Sequence, residues 1–84
     1  MIAVRVRYFA ALREALGAVE SVEVPAGSTV AALRDALIAR DLAHAQALAR
    51  GRALRCALDQ TMCDEDVRLH AGAEVAFFPP VTGG

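Results

Sequence analysis

The chain has no lysine and no tryptophan, and only two cysteines, two histidines and three prolines among its 84 residues. Each shortage closes a class of function. Without a side-chain amine the protein cannot accept an isopeptide bond, so it cannot be linked into chains of itself through lysine. All nine basic residues are arginine, and ten acids bring the net charge to −1. That balance excludes the basic footprint of a nucleic-acid binder, whose affinity comes from neutralised phosphates. Cys56 and Cys63 are spaced neither as a CxxC redox pair nor as a zinc-ligand pattern. They read as reduced, packed thiols of a cytoplasmic protein, where disulfides are rare. His44 and His70 stand apart from each other and from the cysteines, which leaves no metal-ligand cluster. No uncharged apolar run approaches the ~18 residues of a membrane span, and no signal peptide is visible.

Catalytic sets are missing too. Ser21 and Ser28 have no histidine and acid at a recognisable spacing. Neither GxxxxGK nor GxGxxG occurs, so no phosphate-binding loop is present. Asp64-Glu65-Asp66 is an acidic run, but consecutive residues splay in different directions. It reads as a solvated turn rather than a metal site.

Apolar residues make up 56% of the chain, high for a domain that buries only about 60–65% of its unfolded surface. The length allows one core, and the excess leaves apolar surface for a partner. Ile2 to Phe9 alternates, with Ile2, Val4, Val6 and Tyr8 inward and Ala3, Arg5, Arg7 and Phe9 outward, the period of a half-buried strand. Ala10 to Leu16 are helix formers stopped by Gly17, and Val19 to Val24 alternates again. These strands are expected to pair antiparallel. After the Pro25-Ala26-Gly27 turn, Ser28 or Thr29 offers a capping hydroxyl. Val30, Leu33 and Leu37 then form the stripe of the main helix, running to about Arg40, with Arg34 and Asp35 turned away from the core. Asp41 caps a further helical stretch through Leu42, Ala45 and Leu48, ending at Gly51. Leu54–Leu58 and Thr61–Cys63 read as strands around an Asp59-Gln60 turn. Leu69 to Gly72 turns into a last strand over Glu74 to Phe78, with Val75 and Phe77 on one face and Ala76 and Phe78 on the other. The order predicts an α+β domain over residues 1–78: a mixed four- to five-stranded sheet with one main helix on one face. Phe9 and Phe78 then share the open face. Parity leaves two readings: a docking patch, or two aromatics each singly exposed, which needs no explanation, or covered by loops.

Residues 79–84 read as a flexible tail, Pro79-Pro80-Val81-Thr82-Gly83-Gly84. The prolines stiffen the exit from the fold. The glycines carry no side chain, so a narrow channel could admit them. An ordinary frayed end is the plain alternative. The chemically special group at the tip is the α-carboxylate of Gly84. It is a poor electrophile until an oxygen becomes a leaving group. Acyl-adenylation by an ATP-using partner supplies that, and sulfur attack then yields a thiocarboxylate, a good nucleophile.

The run Glu74-Val75-Ala76-Phe77-Phe78-Pro79-Pro80-Val81-Thr82-Gly83-Gly84 resembles the closing motif of the small, sulfur-carrying subunits of molybdopterin synthase almost residue for residue. Tyr8-Phe9-Ala10 with Leu12-Arg13-Glu14 and Gly17, and Thr29-Val30 with Leu33-Arg34, support the likeness, which spans essentially the whole chain. Leu58-Asp59-Gln60-Thr61 is a weaker match, because the family often has Asn at the position of Asp59; Ala73 stands where an acid is usual. Both departures fall in turns. The resemblance implies a ubiquitin-like β-grasp fold. It implies adenylation of Gly84 by an E1-like enzyme using ATP, conversion to a thiocarboxylate, and insertion of the tail, with Gly83 giving access, into the large synthase subunit. Sulfur there passes to cyclic pyranopterin monophosphate, building the dithiolene of the molybdenum cofactor. The resemblance also implies a heterotetramer of small and large subunits, and docking through Phe9, Met62, Phe78, Pro79, Pro80, Val81 and Thr82. It implies no metal or cofactor bound by the small subunit itself. A carrier for another pathway, such as thiamine thiazole or a tungsten cofactor, a protein modifier and an unreactive interaction module stand beside this reading.

Overall fold

Alternation builds the first strand as the sequence predicts. In a computed structural model, which describes residues 1–79, β1 runs Ile2–Tyr8, and Val4, Val6 and Tyr8 are buried while Ala3, Arg5 and Arg7 are exposed. The chain turns at Ala10 with φ 54°, a left-handed conformation that costs a non-glycine residue about 1–3 kcal/mol. Helix α1, Ala11–Leu16, follows. Gly17 stops it with φ 92°, its N–H donating to Arg13 O at 2.8 Å. A Cβ there would meet no atom within 4 Å, so the requirement for glycine is conformational, not steric. Strand β2, Val19–Val24, returns antiparallel to β1, with Val4 opposite Val22.

Helix α2 spans Val30–Ile38. Of the two candidate caps, Thr29 takes the role: its hydroxyl accepts from Ala32 N at 3.1 Å. Ser28 instead donates to Pro25 O at 2.6 Å. The first turn of a helix leaves backbone N–H groups unpaired. Here Val67 O accepts from Val30 N at 3.1 Å and Glu65 O from Ala31 N at 2.9 Å. The acidic run is therefore not a free solvated turn. Its backbone supports the helix start, and the Glu65 side chain binds Arg34 and Arg50.

Arg34 itself departs from expectation. It lies on α2 with only 3% exposure, beside the buried Val30, Leu33 and Leu37. Its guanidinium reaches the end of the next helix, α3 (Leu42–Ala47). Nε donates to Leu48 O at 2.8 Å, Nη2 to Ala49 O at 2.6 Å and Arg52 O at 3.1 Å, and Nη1 to Glu65 at 2.7 Å. The carbonyls left bare at a helix C-terminus find their donors in one planar fork. Helix α3 also ends earlier than expected and in a different phase. Asp41 caps it, accepting from His44 N at 2.8 Å. That turn places His44, Ala47 and Leu48 inward and leaves Leu42 71% exposed.

Strands β3 (Arg55–Leu58) and β4 (Thr61–Cys63) form a hairpin. Asp59 and Gln60 both take positive φ, 49° and 70°, the geometry of a two-residue hairpin turn. Strand β5, Glu74–Phe78, enters between β1 and β3, parallel to the first and antiparallel to the second. The sheet order is β2-β1-β5-β3-β4. Its inner face, carrying Val4, Val6, Tyr8, Val22, Val24, Val75 and Phe77, shares one core with Val30, Leu33 and Leu37 of α2 and with Leu48 and Leu69. A mixed five-stranded sheet holding one main helix on one face, with the first and last strands side by side at its centre, is the β-grasp arrangement.

Candidate functional site

The outer face of the sheet is set by register. Tyr8 lies opposite Phe77 across the parallel β1–β5 pair. Both point inward and are buried, so the residue after each lies on the outer side. Phe9 and Phe78 meet there as a stacked pair, ring centroids 4.7 Å apart and planes inclined by 13°. Phe9 N–H also donates to Phe77 O at 3.3 Å, extending the ladder by one residue. Both rings are half-buried. The Arg7 guanidinium sits over Phe9, 5.4 Å from the ring centroid, within the range of a cation–π contact.

The next row crosses the other strands. Arg7 pairs with Ala76, Ala76 with Ala57, and Ala57 with Met62. Met62 is therefore on the same face as Phe78, and it is 51% exposed. Arg55 stands opposite Phe78 on β3 and is exposed. The outer face thus carries half-buried Phe9 and Phe78 and exposed Met62, with Ala76 and Ala57 between them at only 6% and 4% exposure and with Arg7 and Arg55 beside them. The aromatic pair lies at the exit of β5, where half-buried Pro79 continues the chain. The structure joins Phe9 and Phe78 directly, and places Met62 across two intervening alanines. Pro80, Val81, Thr82, Gly83 and Gly84 lie outside the described residues.

Ala57, Ala76, Arg7 and Arg55 were not singled out from the sequence. Alternation marks each as inward or outward along its own strand. Which residues of β1, β5, β3 and β4 become neighbours depends on non-local register, for which the strands carry no local signal.

A polar cluster lies on the other side of β1. Tyr8 Oη donates to Glu20 Oε2 at 2.7 Å, and Arg40 also reaches Glu20. His44 Nε2 is 2.8 Å from Glu20 Oε2, and its Nδ1 is 2.8 Å from Asp41 Oδ1. Burial opposes charge on His44, but hydrogen bonds to Glu20 and Asp41 outweigh it and raise its pKa above the ordinary 6.5. Burial likewise favours a neutral Glu20, yet donors from His44, Tyr8 and Arg40 bring its carboxyl below the ordinary 4.5. With both ring nitrogens held by carboxylates, His44 is a tie between β2 and α3, with neither nitrogen free to face a substrate. Among the described residues no group of three His, Cys, Asp or Glu side chains could hold a metal ion. No helix among them is long and apolar enough to cross a membrane.

The ThiS family model matches residues 6–84 of the chain. The molybdopterin synthase sulfur carrier subunit of Escherichia coli (strain K12) is 45% identical over 82 residues, covering 96% of this chain and 99% of that one. The subunit of the same name from Haemophilus influenzae is 38% identical over 80 residues, covering 94% of this chain and 96% of its own. Among solved structures, small archaeal modifier protein 1 of Haloferax volcanii superposes with a TM-score of 0.79 at 26% identity, over 96% of this chain and 100% of that one.

Proposed function

The chain belongs to the ThiS family, and from that footing we propose that it is the sulfur carrier subunit of a molybdopterin synthase. The observation that carries the reading is the junction of β5 with the closing residues. Phe78 ends the strand on the outer face against Phe9, and the chain goes on through Pro79-Pro80-Val81-Thr82 to Gly83-Gly84. Near-full-length identity to two curated sulfur carrier subunits, 45% and 38%, supports the pathway.

In this reading the chain is not a catalyst on its own. An E1-like enzyme binds the outer face and presents Gly84 to ATP. A Gly84 carboxylate oxygen attacks the α-phosphorus, and pyrophosphate leaves. A sulfur donor then displaces AMP from the acyl-adenylate, giving the thiocarboxylate. The charged body releases one partner and docks to the other, the large subunit, through the same face carrying Phe9, Phe78 and Met62. Pro79 to Gly83 thread the tail inward. The thiocarboxylate sulfur attacks a carbon of cyclic pyranopterin monophosphate as a C–O bond to that carbon breaks and the oxygen leaves, and water then hydrolyses the resulting acyl–sulfur bond, freeing the thiolate and returning the Gly84 carboxylate. The assembly is a heterotetramer working in the cytoplasm, and the small subunit binds no metal or cofactor. Shared docking keeps activation and delivery from overlapping, since one surface cannot serve two partners at once.

A second reading rests on the likeness to the archaeal modifier protein. There Gly84 would end on a lysine amine of a target protein. The two are separated by where the mass goes. Incubation with the activating enzyme, ATP and a sulfur donor replaces one oxygen by sulfur at Gly84 under the carrier reading. Attachment of the whole chain to target lysines would overturn it in favour of the modifier.

A further inference from the structure

Cys56 and Cys63, unremarkable by spacing, face each other in the fold. They are register partners on β3 and β4. Their sulfurs lie 3.7 Å apart, and the Cys56 thiol donates to Cys63 O at 3.3 Å. Both thiols are free, and the carrier chemistry uses neither.

Their surroundings are unequal. Cys56 is buried at 4% exposure, on the inner face opposite Phe77. Cys63 is only partly buried. It opens onto a cleft of about 500 Å3 lined by Leu54, Arg55, Met62, Asp64 and Glu65 as well as both cysteines. A reagent therefore reaches Cys63 first, and Cys56 waits behind it. Directly opposed residues of an antiparallel pair have Cα atoms about 4.5–5.5 Å apart, inside the ~4.4–6.8 Å that a disulfide spans. Closing the bond needs rotation of the sulfurs and a small approach, not a new strand arrangement. Strand β4 can supply that approach, because it is three residues long and sits at the sheet edge with one neighbour.

We propose that Cys56 and Cys63 form a reversible dithiol–disulfide site, oxidised by exchange with a low-molecular-weight disulfide. In the first step the Cys63 thiolate attacks one sulfur of the reagent. A Cys63–S–S–R bond forms, and the first RS⁻ leaves and takes up a proton. In the second, Cys56 gives its proton to solvent and attacks Cys63 Sγ. The bond to R breaks, and a second RSH departs. Two protein thiols are oxidised and one external disulfide is reduced, so atoms and electrons balance. Burial, with the hydrogen bond to Cys63 adding to it, pushes the Cys56 thiol up to about 12. That leaves the first attack to Cys63, and it is the sulfur–sulfur distance of 3.7 Å that gives Cys56 the resolving step.

The site is independent of the carrier chemistry. A chain whose Gly84 is an ordinary carboxylate has no sulfur at its terminus, and Met1 and Met62 are thioethers that do not exchange. The test incubates the full, unactivated chain with oxidised glutathione, quenches with acid, alkylates, and reads intact mass and a peptide map. Expected is the loss of two hydrogens, no bound glutathione, no alkylation at either cysteine, and full reversal by dithiothreitol. Cys56→Ser, or Cys56→Ala should the serine variant not fold, is expected to stop at one glutathione on Cys63. Cys63→Ala is expected to leave the folded chain unmodified. A wild-type chain that accumulates the Cys63–glutathione adduct, couples to a second chain, or keeps both thiols alkylatable overturns the proposal.

Discussion

Phe9 and Phe78, from opposite ends of the chain, stack with centroids 4.7 Å apart on the outer face of the sheet. The contact exists because β1 and β5 are parallel neighbours in a register that sets Tyr8 against Phe77. One residue further along each strand, the same register delivers two aromatic rings to the surface instead of the core. Core packing and the proposed partner recognition thereby fall to adjacent positions.

Phe78→Ala separates the two roles. The ring is half-buried, and its loss should cost folding about 1 kcal/mol, while a central aromatic anchor is worth about 2 kcal/mol or more at an interface. Titration of the large subunit should show binding weakened by well over tenfold, with a small fall in thermal midpoint. Val75→Ala should do the opposite, because Val75 is fully buried. Equal destabilisation by both variants would place Phe78 in the core.

Leu33 on α2 has no exposed surface. Leu33→Asp buries an unpaired carboxylate, a cost of several kcal/mol against a total stability of about 5–15 kcal/mol. Circular dichroism should show a largely unfolded chain at 25 °C. A cooperative melt near that of the wild type would mean that α2 does not pack on the sheet.

Arg34 answers four acceptors with one buried guanidinium. Arg34→Met keeps the apolar stem but orphans three carbonyls and leaves Glu65 with one fewer donor, so urea denaturation should show a loss of about 3–5 kcal/mol. Arg34→Lys should recover little, since an ammonium cannot reproduce the planar fork. Full rescue by lysine would show that charge alone matters there.

Much of the architecture was legible locally. The alternation of Ile2–Tyr8, a hydroxyl cap at Ser28 or Thr29, the Gly17 stop and the turn at Asp59-Gln60 all express rules that act within a few residues. The exceptions are interactions whose partners are far along the chain. Arg34 reads as turned off the apolar stripe because its acceptors, at residues 48, 49, 52 and 65, are created only when α3 and the 64–66 segment dock. His44 looked isolated because Glu20 reaches it across 24 residues. Cys56 and Cys63 looked unrelated until the hairpin register set them face to face. At the candidate site, parity placed Phe9 and Phe78 on one face, but only the strand order brought Met62 and the two alanines beside them.

Stability should depend on pH through His44 and its carboxylates. His44 is raised above its ordinary 6.5, so its contribution is complete below that value and is lost as pH rises through the higher folded pKa. Glu20 and Asp41 are lowered below their ordinary 4.5 and 3.8. Their contributions are present above those values and are lost as pH falls through the folded ones. Maximum stability should therefore lie between about pH 4.5 and 6.5. His70 shifts upward beside Asp59 in the same sense, so His44→Gln should flatten only part of the alkaline fall in melting temperature. A profile unchanged by His44→Gln would contradict the ion triad.

Intact mass of the full chain after incubation with the activating enzyme, ATP and a sulfur donor tests the central claim most directly. The account predicts one oxygen replaced by sulfur, mapped to Gly84, and transfer of that sulfur to cyclic pyranopterin monophosphate on adding the large subunit. A variant lacking Gly84 should keep its fold and melting temperature and show neither change. An unaltered mass, in a mixture that converts the Escherichia coli subunit to its thiocarboxylate, would contradict it.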